Sequence, residues 1–476
     1  MGGTEMNRWS TLMRFVVPAS AALTVAGCAV GPDYKRPEMP APTQYRFVQE
    51  PNQAQSMADL PWWAVFDDPT LQTLIREGLT NNLDLRVAVA RVEEARARAG
   101  IAKSFLYPQV DGVAGYAVRQ ASNAPPPNGV GNEDTTHQSG SYGFQLSWEL
   151  DLFGRLRRQN ESAFALFLAT EQSRRGVLVT LVGDVATNYF LLRELDVQLQ
   201  IARRTLTLND ETVTYFRNRL EGGVSNRLEL DQAIANRAQT AAAIPDIENQ
   251  IGIVENAISM LLGRPPGPIT RVEAPVTTLP PAIPPGLPTS LLERRPDVVA
   301  AEEMLVSANA DVGAAKALFF PTISLTGFLG GVSGDLTTFL GGDGGVWSIG
   351  AGLLQPVFQG KRIKRNYEAM QARYTAAVAE YQKAALNGYR EVANSLLTIQ
   401  KLAEIRVELQ GAVTVLQDAS DLSRSRYDSG LASYIEILIA DQTLFRQEIL
   451  LAQTRGAELR ARAELYRTLG GGWRPQ

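Results

Sequence analysis

The chain has 476 residues, 45% hydrophobic and 20% charged, the balance of a folded protein. Its 46 Lys and Arg against 50 Asp and Glu give a formal net charge of −4, which excludes a globally basic nucleic-acid binder. One Cys and one His exclude an intramolecular disulfide, Cys-based metal centres and multi-His sites, and a mean hydropathy of −0.11 with no run of about 18 uninterrupted apolar residues argues against a polytopic helical membrane protein while leaving a β-barrel open.

At the amino terminus, Arg8 and Arg14 precede an apolar stretch that leads through small residues into Val25-Ala26-Gly27-Cys28. A positive end, a short apolar core and a small-residue exit describe a secretory signal peptide over 1–27, too short to span a bilayer. Val25-Ala26-Gly27-Cys28 resembles a bacterial lipobox, which implies cleavage before Cys28 and acylation of its thiol and new amino group. The alternative is an ordinary signal peptide with an incidental Cys. Multiple acyl chains on Cys28 make a firm anchor. Residue 29 is Ala and not Asp, which in enteric-type lipoprotein sorting implies the outer membrane. Met1 and Met6 can each serve as the start.

The rest of the chain is an internal duplication. Residues 102–108, Ala-Lys-Ser-Phe-Leu-Tyr-Pro, resemble 315–321, Ala-Lys-Ala-Leu-Phe-Phe-Pro, at an offset of 213, which also pairs Asp84 with Asp297. Downstream the offset is 207: Gly223 pairs with Gly430, and Leu262-Gly263 with Leu469-Gly470. The first copy therefore carries extra residues between these landmarks. The region 120–140, rich in Pro, Asn, Gly and Ser, is predicted to be the long loop that holds them, His137 included. A Pro-rich connector over 263–288 joins the copies and cannot continue a helix.

Each copy reads as helix, strand pair, very long helix, break, long helix. In 141–151, Tyr142, Phe144, Leu146, Trp148 and Leu150 alternate with Ser141, Gly143, Gln145, Ser147, Glu149 and Asp151, the period-two pattern of a strand with one apolar face. Trp347, Ile349, Ala351 and Leu353 repeat the pattern in the second copy, and 110–118 and 322–329 are the weaker partner strands. Residues 155–220 and 361–427 contain no Pro and are rich in good helix formers, so each predicts a helix of about 100 Å. That length points to a coiled coil or tube wall, and polar breaks in the apolar face suit a wall with water on one side. The last helices, 227–262 and 434–469, return after short glycine turns.

Two strand pairs give four strands, whereas membrane barrels need about eight or more. Outward Tyr142, Phe144, Leu146 and Trp148 are predicted to face lipid. Gln145, Glu149 and Asp151 are predicted to face a wet lumen, because a bare buried carboxylate is costly. Three chains give twelve strands. The alternative is a two-sheet soluble domain.

An ordered set of segments now resembles one family. Cys28-Ala29-Val30-Gly31-Pro32-Asp33-Tyr34-Lys35-Arg36-Pro37, Pro61-Trp62-Trp63 with Phe66-Asp67-Asp68-Pro69, Asn81-Asn82-Leu83-Asp84-Leu85, Leu150-Asp151-Leu152-Phe153-Gly154-Arg155 and Glu293-Arg294-Arg295-Pro296-Asp297 look like the outer membrane factors, TolC-like efflux channels, of the lipoprotein subgroup. The resemblance implies an α+β membrane protein: a homotrimeric twelve-stranded β-barrel continuous with a long helical periplasmic barrel. It implies a periplasmic adaptor and an inner-membrane pump as partners, outer-membrane lipid around the barrel, and no nucleic acid. The domain reading is a signal peptide 1–27, an acylated arm and equatorial segment 28–68, a first repeat 69–262, a connector and equatorial region 263–289, a second repeat 290–470 and a tail 471–476.

The function implied is a passive exit duct for drugs or other small molecules, with no enzyme activity, no metal and no cofactor beyond the lipid on Cys28. A lone His makes a His-based triad improbable, and Gly341-Gly342-Asp343-Gly344-Gly345 lacks the Lys-Ser/Thr of a phosphate loop and reads as a strand-connecting turn. Gly222, Gly223, Val224, Ser225 and Asn226, with Ser429, Gly430, Leu431, Ala432 and Ser433, sit where the long helices reverse. Glycine ends a helix and Ser or Asn caps the next, and the resemblance adds that these turns form the adaptor-docking tip. Arg219 and Arg426 serve either docking or the helix-end dipole. Asp418 and Asp421, at i and i+3, become rings of carboxylates under threefold symmetry and are the candidate aperture; the alternative is an exposed acidic face paired with Arg424. A non-conducting lipoprotein scaffold with a coiled-coil body is the competing function, opposed by the aromatic strand faces it leaves in water. The exported substrate is not legible.

Overall fold

The computed structural model describes residues 29–40, 42, 44–47, 68–120, 136–271, 292–334 and 344–471. The signal peptide, Cys28, Trp62-Trp63 and Gly341-Gly342-Asp343 lie outside them. In chain order the elements are α1 (Pro69–Asn81), α2 (Leu83–Ser104), β1 (Gln109–Gln120), β2 (Thr136–Leu150), α3 (Arg155–Glu221), α4 (Arg227–Leu261), α5 (Pro296–Ala317), β3 (Thr322–Ser333), β4 (Gly345–Leu354), α6 (Arg362–Asp428) and α7 (Tyr434–Thr468).

The duplication is metrical. Helices α2 and α5 have 22 residues each, α3 and α6 have 67, and α4 and α7 have 35. Tertiary bonds recur even where side chains have diverged. The Trp148 indole donates to the Leu106 carbonyl at 3.2 Å, and at the equivalent positions the Gln355 amide donates to the Phe319 carbonyl, also at 3.2 Å. Asn82 donates to the Leu261 carbonyl at 2.9 Å, and its counterpart Arg295 to the Thr468 carbonyl at 2.8 Å. Strand register locates the insertion. Gln109 lies opposite Ser147, and Thr322 opposite Leu354, so the offset is still 213 at β1 and already 207 at β2. The loop between β1 and β2 is shorter than expected: 136–140 belong to β2, where the backbone of His137 lies opposite Arg119.

The chain divides into two compact units, each drawing on both repeats. The first comprises Met1–Pro37, Val92–Thr170 and Ala301–Glu380. It contains a four-stranded antiparallel sheet in the order β1-β2-β3-β4. Pro108 and Pro321 immediately precede β1 and β3, where they bar helical continuation. The segment that follows Cys28 is docked here. Val30 N–H donates to the Phe153 carbonyl at 3.0 Å, the buried Arg158 pairs with Asp33 at 2.7 Å, and Arg36 pairs with Glu302. Phe153 stacks on Phe320 with centroids 4.8 Å apart.

The second unit comprises Glu38–Arg91, Glu171–Ala300 and Tyr381–Gln476 and holds the main apolar core. Leu71, Leu74, Ile75 and Gly78 of α1, at i, i+3, i+4 and i+7, form its inward stripe. The first three belong to a cluster with Val185, Tyr189 and Leu192 of α3, Ile258 of α4 and Tyr466 of α7. Each fully buried Leu or Ile contributes about 1.5–3 kcal/mol. The start of α1 is tied to this core. One Asp68 oxygen caps the helix by accepting from Thr70 N–H (2.8 Å) and Leu71 N–H (3.1 Å), and the other accepts from the buried Tyr189 hydroxyl at 2.8 Å. Burial, and then the adjacent Asp68 carboxylate, push the Tyr189 hydroxyl well above the usual tyrosine range.

Some polar breaks in the long helices are buried layers, not wet faces as expected from sequence. Asn209 donates to Thr240 at 2.9 Å, and Asn236 donates to Asn209 and accepts from Gln442, both at 3.0 Å. Glu458 is fully buried between Arg406 (2.8 Å) and Arg462 (2.9 Å). Such groups are tolerated because they satisfy one another. One window of α3 is apolar enough for a membrane span by composition, but half of it is buried within the chain, as expected of a core helix. Helix α4 also runs through Pro245.

Candidate functional site

Three features carry the sequence-predicted residues: the sheet faces, the helix-reversal turns and the acidic stretch of α6. The register sorts the sheet side chains onto two faces, because directly opposed residues share a face. Tyr142, Phe144, Leu146, Trp148 and Leu150 align with Ala114, Gly112 and Val110 of β1 and with Gly331, Leu329, Gly327, Leu325 and Ile323 of β3. Trp347, Ile349, Ala351 and Leu353 of β4 continue that face. Over these positions it is apolar and open: Phe144 is 62% exposed, Trp347 74% and Ile349 82%. Asp111, Gln145, Ser147, Glu149, Ser324, Thr326 and Ser348 lie on the other face. Among the described residues, the outer edges of β1 and β4 have no strand partner.

Two details revise the expected wet face. Glu149 is not bare, because it makes a two-pronged pair with Arg155 at 3.0 and 2.6 Å. Asp151 lies beyond β2, where its carboxylate accepts from Arg157 N–H at 2.8 Å beside the start of α3. Both acids therefore fix the strand-to-helix junction through arginines at the first and third positions of α3. The Arg-x-Arg of Arg155 and Arg157 was the available sequence signal.

Both reversals are Schellman turns built on the same bonds. After α3, Gly223 N–H donates to the Leu220 carbonyl (3.0 Å) and Val224 N–H to the Arg219 carbonyl (2.9 Å), with Gly223 at φ +71°. After α6, Gly430 N–H donates to Tyr427 (2.8 Å) and Leu431 N–H to Arg426 (2.9 Å), with Gly430 at φ +74°. Val224 and Leu431 thus occupy one geometrical position in both repeats and are 65% and 70% exposed. Arg219 and Arg426 reach back to the carbonyls of Val224 (3.3 Å) and Leu431 (3.4 Å), so each guanidinium braces its turn. Arg219 also bonds the Tyr215 hydroxyl at 2.9 Å, which pushes the guanidinium pKa up. The caps differ. Asn226 accepts from Glu229 N–H at 3.0 Å, and Ser225 bonds the Glu229 carboxylate, but Ser433 makes no side-chain cap bond, against the sequence expectation. Gly222 closes α3 through its N–H to the Asn218 carbonyl at 3.0 Å, and the Ser429 hydroxyl donates to the Ser425 carbonyl at 2.9 Å; Ala432 completes the second turn.

An aromatic cluster missed in the sequence stiffens this end. The Phe216 ring meets Tyr434 at 4.3 Å and Tyr427 at 5.8 Å, edge to face. Burial pushes the Tyr434 hydroxyl up to about 12. The signal lay in the aromatic residues flanking both turns.

Asp418 and Asp421 are exposed on α6, with the exposed Val415 and Leu422 among their neighbours along the helix. The alternative pairing with Arg424 is not formed. Arg424 pairs instead with Asp441 of α7 at 3.1 Å, and Ser420 donates to the same carboxylate at 2.5 Å. Asp441, missed in the sequence, thus ties α6 to α7 at this level. Among the described residues no group of three or more His, Cys, Asp or Glu side chains is placed to hold a metal.

Comparison with known proteins places these features. The model of the family "Outer membrane efflux protein" matches residues 74–264 and 287–471, one match to each repeat. The cation efflux system protein CusC of Escherichia coli O6:H1 is 34% identical over 463 residues, covering 96% of this chain and 98% of its own. The solvent efflux pump outer membrane protein SrpC of Pseudomonas putida is 33% identical over 468 residues, covering 96% and 98%. The solved structure of the outer-membrane channel OprN superposes with a TM-score of 0.87 at 32% identity, covering 94% of this chain and all of that one. Family model, full-length relatives and solved fold agree with the amphipathic sheet and the duplicated long helices: the chain belongs to the outer membrane efflux protein family.

Proposed function

We propose that three copies of the chain close a twelve-stranded barrel in the outer membrane and a helical conduit beneath it, and that this trimer is the passive exit duct of a tripartite system with a periplasmic adaptor and an inner-membrane pump. The efflux-channel role and the outer-membrane location follow from family membership; the stoichiometry, the partners and the residue roles are the proposal. The observation that carries it is a four-stranded sheet with one apolar face and two open edges, attached to helices of 67 residues. Four strands are too few for a barrel, and twelve fall within the range membrane barrels use. The energy for export comes from the pump, and the duct performs no chemistry of its own. Its cargo is a small molecule or ion of unspecified class, since CusC is a cation efflux protein and SrpC a solvent efflux protein.

In this reading Cys28 carries the lipid, and the docked segment from Val30 to Arg36 ties that anchor to the sheet unit. The apolar turns around Val224 and Leu431 receive the adaptor. Asp418 and Asp421, open to solvent in the single chain, line the closure in the trimer. Native mass spectrometry of the full-length protein extracted in detergent, followed by single-channel recording in planar bilayers, tests the assembly. A trimer that conducts is expected, with higher conductance in the Asp418→Ala, Asp421→Ala double variant. A monomer, or a trimer that never conducts, overturns the duct; unchanged conductance in the double variant removes those carboxylates from the closure.

A further inference from the structure

We infer that the junction between β4 and α6, residues 356–365, binds the headgroup of an anionic phospholipid at the periplasmic surface of the outer membrane, with Lys361, Arg362, Lys364 and Arg365 as its cations. The inference rests on the outer-membrane location and on the lipid at Cys28 proposed above. It adds a headgroup preference that the second repeat carries and the first does not.

The two strand-to-helix junctions share one backbone. Helices α3 and α6 begin 207 residues apart, at Arg155 and Arg362. Arg158 N–H donates to the Gly154 carbonyl and Arg365 N–H to the Lys361 carbonyl, both at 2.9 Å. Gly154 and Lys361 are both left-handed, at φ +80° and +69°. The charges on this common backbone differ. Over 149–161 three arginines meet three acids: Arg155 pairs with Glu149, Arg157 with Asp151, and Arg158 with Glu161 and also with Asp33 of the arm. In the second copy Pro356 and Phe358 stand in place of Glu149 and Asp151, while every cation is kept and Lys361 replaces Gly154. The acid left is Glu368, 2.7 Å from Arg365 and 3.9 Å from Lys364. Arg362 donates to the Gln359 amide oxygen at 2.6 Å. Among the described residues, neither Lys361 nor Arg362 meets a carboxylate.

These charges do nothing for the junction itself. A left-handed lysine is strained where its glycine counterpart is not, and cations in the first turn of α6 oppose the helix dipole. The first junction gives their level. Ala29, next to the residue proposed to carry the lipid, packs so closely on Gly154 that a Cβ there would lie 2.7 Å from the Ala29 Cα. Acyl chains on Cys28 enter the bilayer one residue away, so Gly154 stands at the headgroup level. Lys361 leaves the same end of the sheet, as far beyond Leu354 as Gly154 is beyond the equivalent Ser147. It is exposed there, as are Arg362, Lys364 and Arg365. Beside them Val357 and Phe358 are 93% and 89% exposed. Apolar side chains next to a basic run hold a segment on an anionic lipid surface: the first enter the acyl boundary and the second take the phosphates. A protein partner would have to bring a matching acidic surface to this level, where phospholipid phosphates already stand.

Native mass spectrometry of the full-length protein in detergent, titrated with phosphatidylglycerol or with zwitterionic phosphatidylethanolamine, tests the site. Wild type is expected to retain phosphatidylglycerol several-fold over phosphatidylethanolamine. Lys361→Gln with Arg362→Gln should lose that preference, whereas Arg390→Gln with Lys401→Gln, two exposed cations elsewhere on α6, should keep it. Lys361→Gly guards against misfolding, because glycine suits the left-handed backbone and only one cation is removed. It should weaken phosphatidylglycerol retention about fivefold, the worth of one cation near a lipid surface, and Lys361→Arg should retain the wild-type level. Equal retention of the two lipids by wild type overturns the site, as does an unchanged preference in Lys361→Gly and the double variant alike. A double variant that falls to monomer where wild type is oligomeric assigns the cations to a contact between copies and overturns the site too. A monomeric wild type, or an unacylated Cys28 in its intact mass, brings down the assembly or the anchor instead, and the lipid preference still decides the site.

Discussion

At the scale of single residues, glycines in the same backbone conformation have different consequences. Gly223 and Gly263 both sit at positive φ, +71° and +69°, and both close Schellman turns. A Cβ on Gly223 meets nothing within 4 Å, whereas one on Gly263 strikes the carbonyl of Asn81. Gly223→Ala should therefore cost only the left-handed strain of an L residue, about 1–2 kcal/mol. Gly263→Ala adds a backbone clash and should cost clearly more. Thermal unfolding followed by circular dichroism in detergent checks the order; equal shifts in Tm would contradict it. The turns also present the residues proposed to bind the adaptor. Val224→Asp or Leu431→Asp should abolish efflux in a susceptibility assay while leaving trimer level unchanged, because both side chains are exposed and neither turn uses them for its bonds. Intact efflux in both variants would separate these turns from docking. Glycine, Asn and apolar residues at the reversals were legible in sequence because capping is local. Asp441 was not, because its partners Ser420 and Arg424 lie on another helix.

Among elements, the strands were the more readable, since period-two alternation states which residues share a face. Register added what alternation lacks: the alternating apolar residues of β2 and β4 share one continuous face with Val110 of β1 and with Leu325 and Leu329 of β3. Leu146→Arg, on that face, should reduce outer-membrane assembly, at a cost of roughly 2–4 kcal/mol near the bilayer midplane. Gln145→Arg, one residue away on the opposite face, should be much milder. Quantifying heat-modifiable protein in isolated outer membranes compares the two; equal losses would refute the assigned faces. Helix lengths were equally legible, with 67-residue helices where Pro is absent, yet α4 tolerates Pro245 within its 35 residues. The meaning of the polar interruptions was not legible. Asn209, Asn236 and Thr240 look like a wet face in one dimension and are a buried, mutually bonded layer in three.

For the molecule as a whole, two anchors act on one assembly in the proposed reading, a lipid on Cys28 and the barrel itself. Mass spectrometry of the mature amino terminus should find Cys28 acylated as the first residue, and a free thiol there would sink that proposal. Routed by an ordinary signal peptide, Cys28→Ser should still reach the trimer in outer membranes, because the apolar sheet face is a membrane anchor in its own right. Loss of the trimer in that variant would instead make the lipid a condition of assembly. What the sequence determined by itself was whatever recurs with a short period or at a fixed offset: the strand alternation, the Pro-free helices, the glycine reversals and the duplication at 213 and 207. These are readable because backbone geometry and binary patterning act over a few neighbouring residues. Only the tertiary structure decided that Glu149 pairs with Arg155, that Glu458 is buried between two arginines, and that Gln145 lies opposite Asp111. Such facts depend on strand register and on helices brought together from distant parts of the chain, and neither distance nor register is encoded in local pattern.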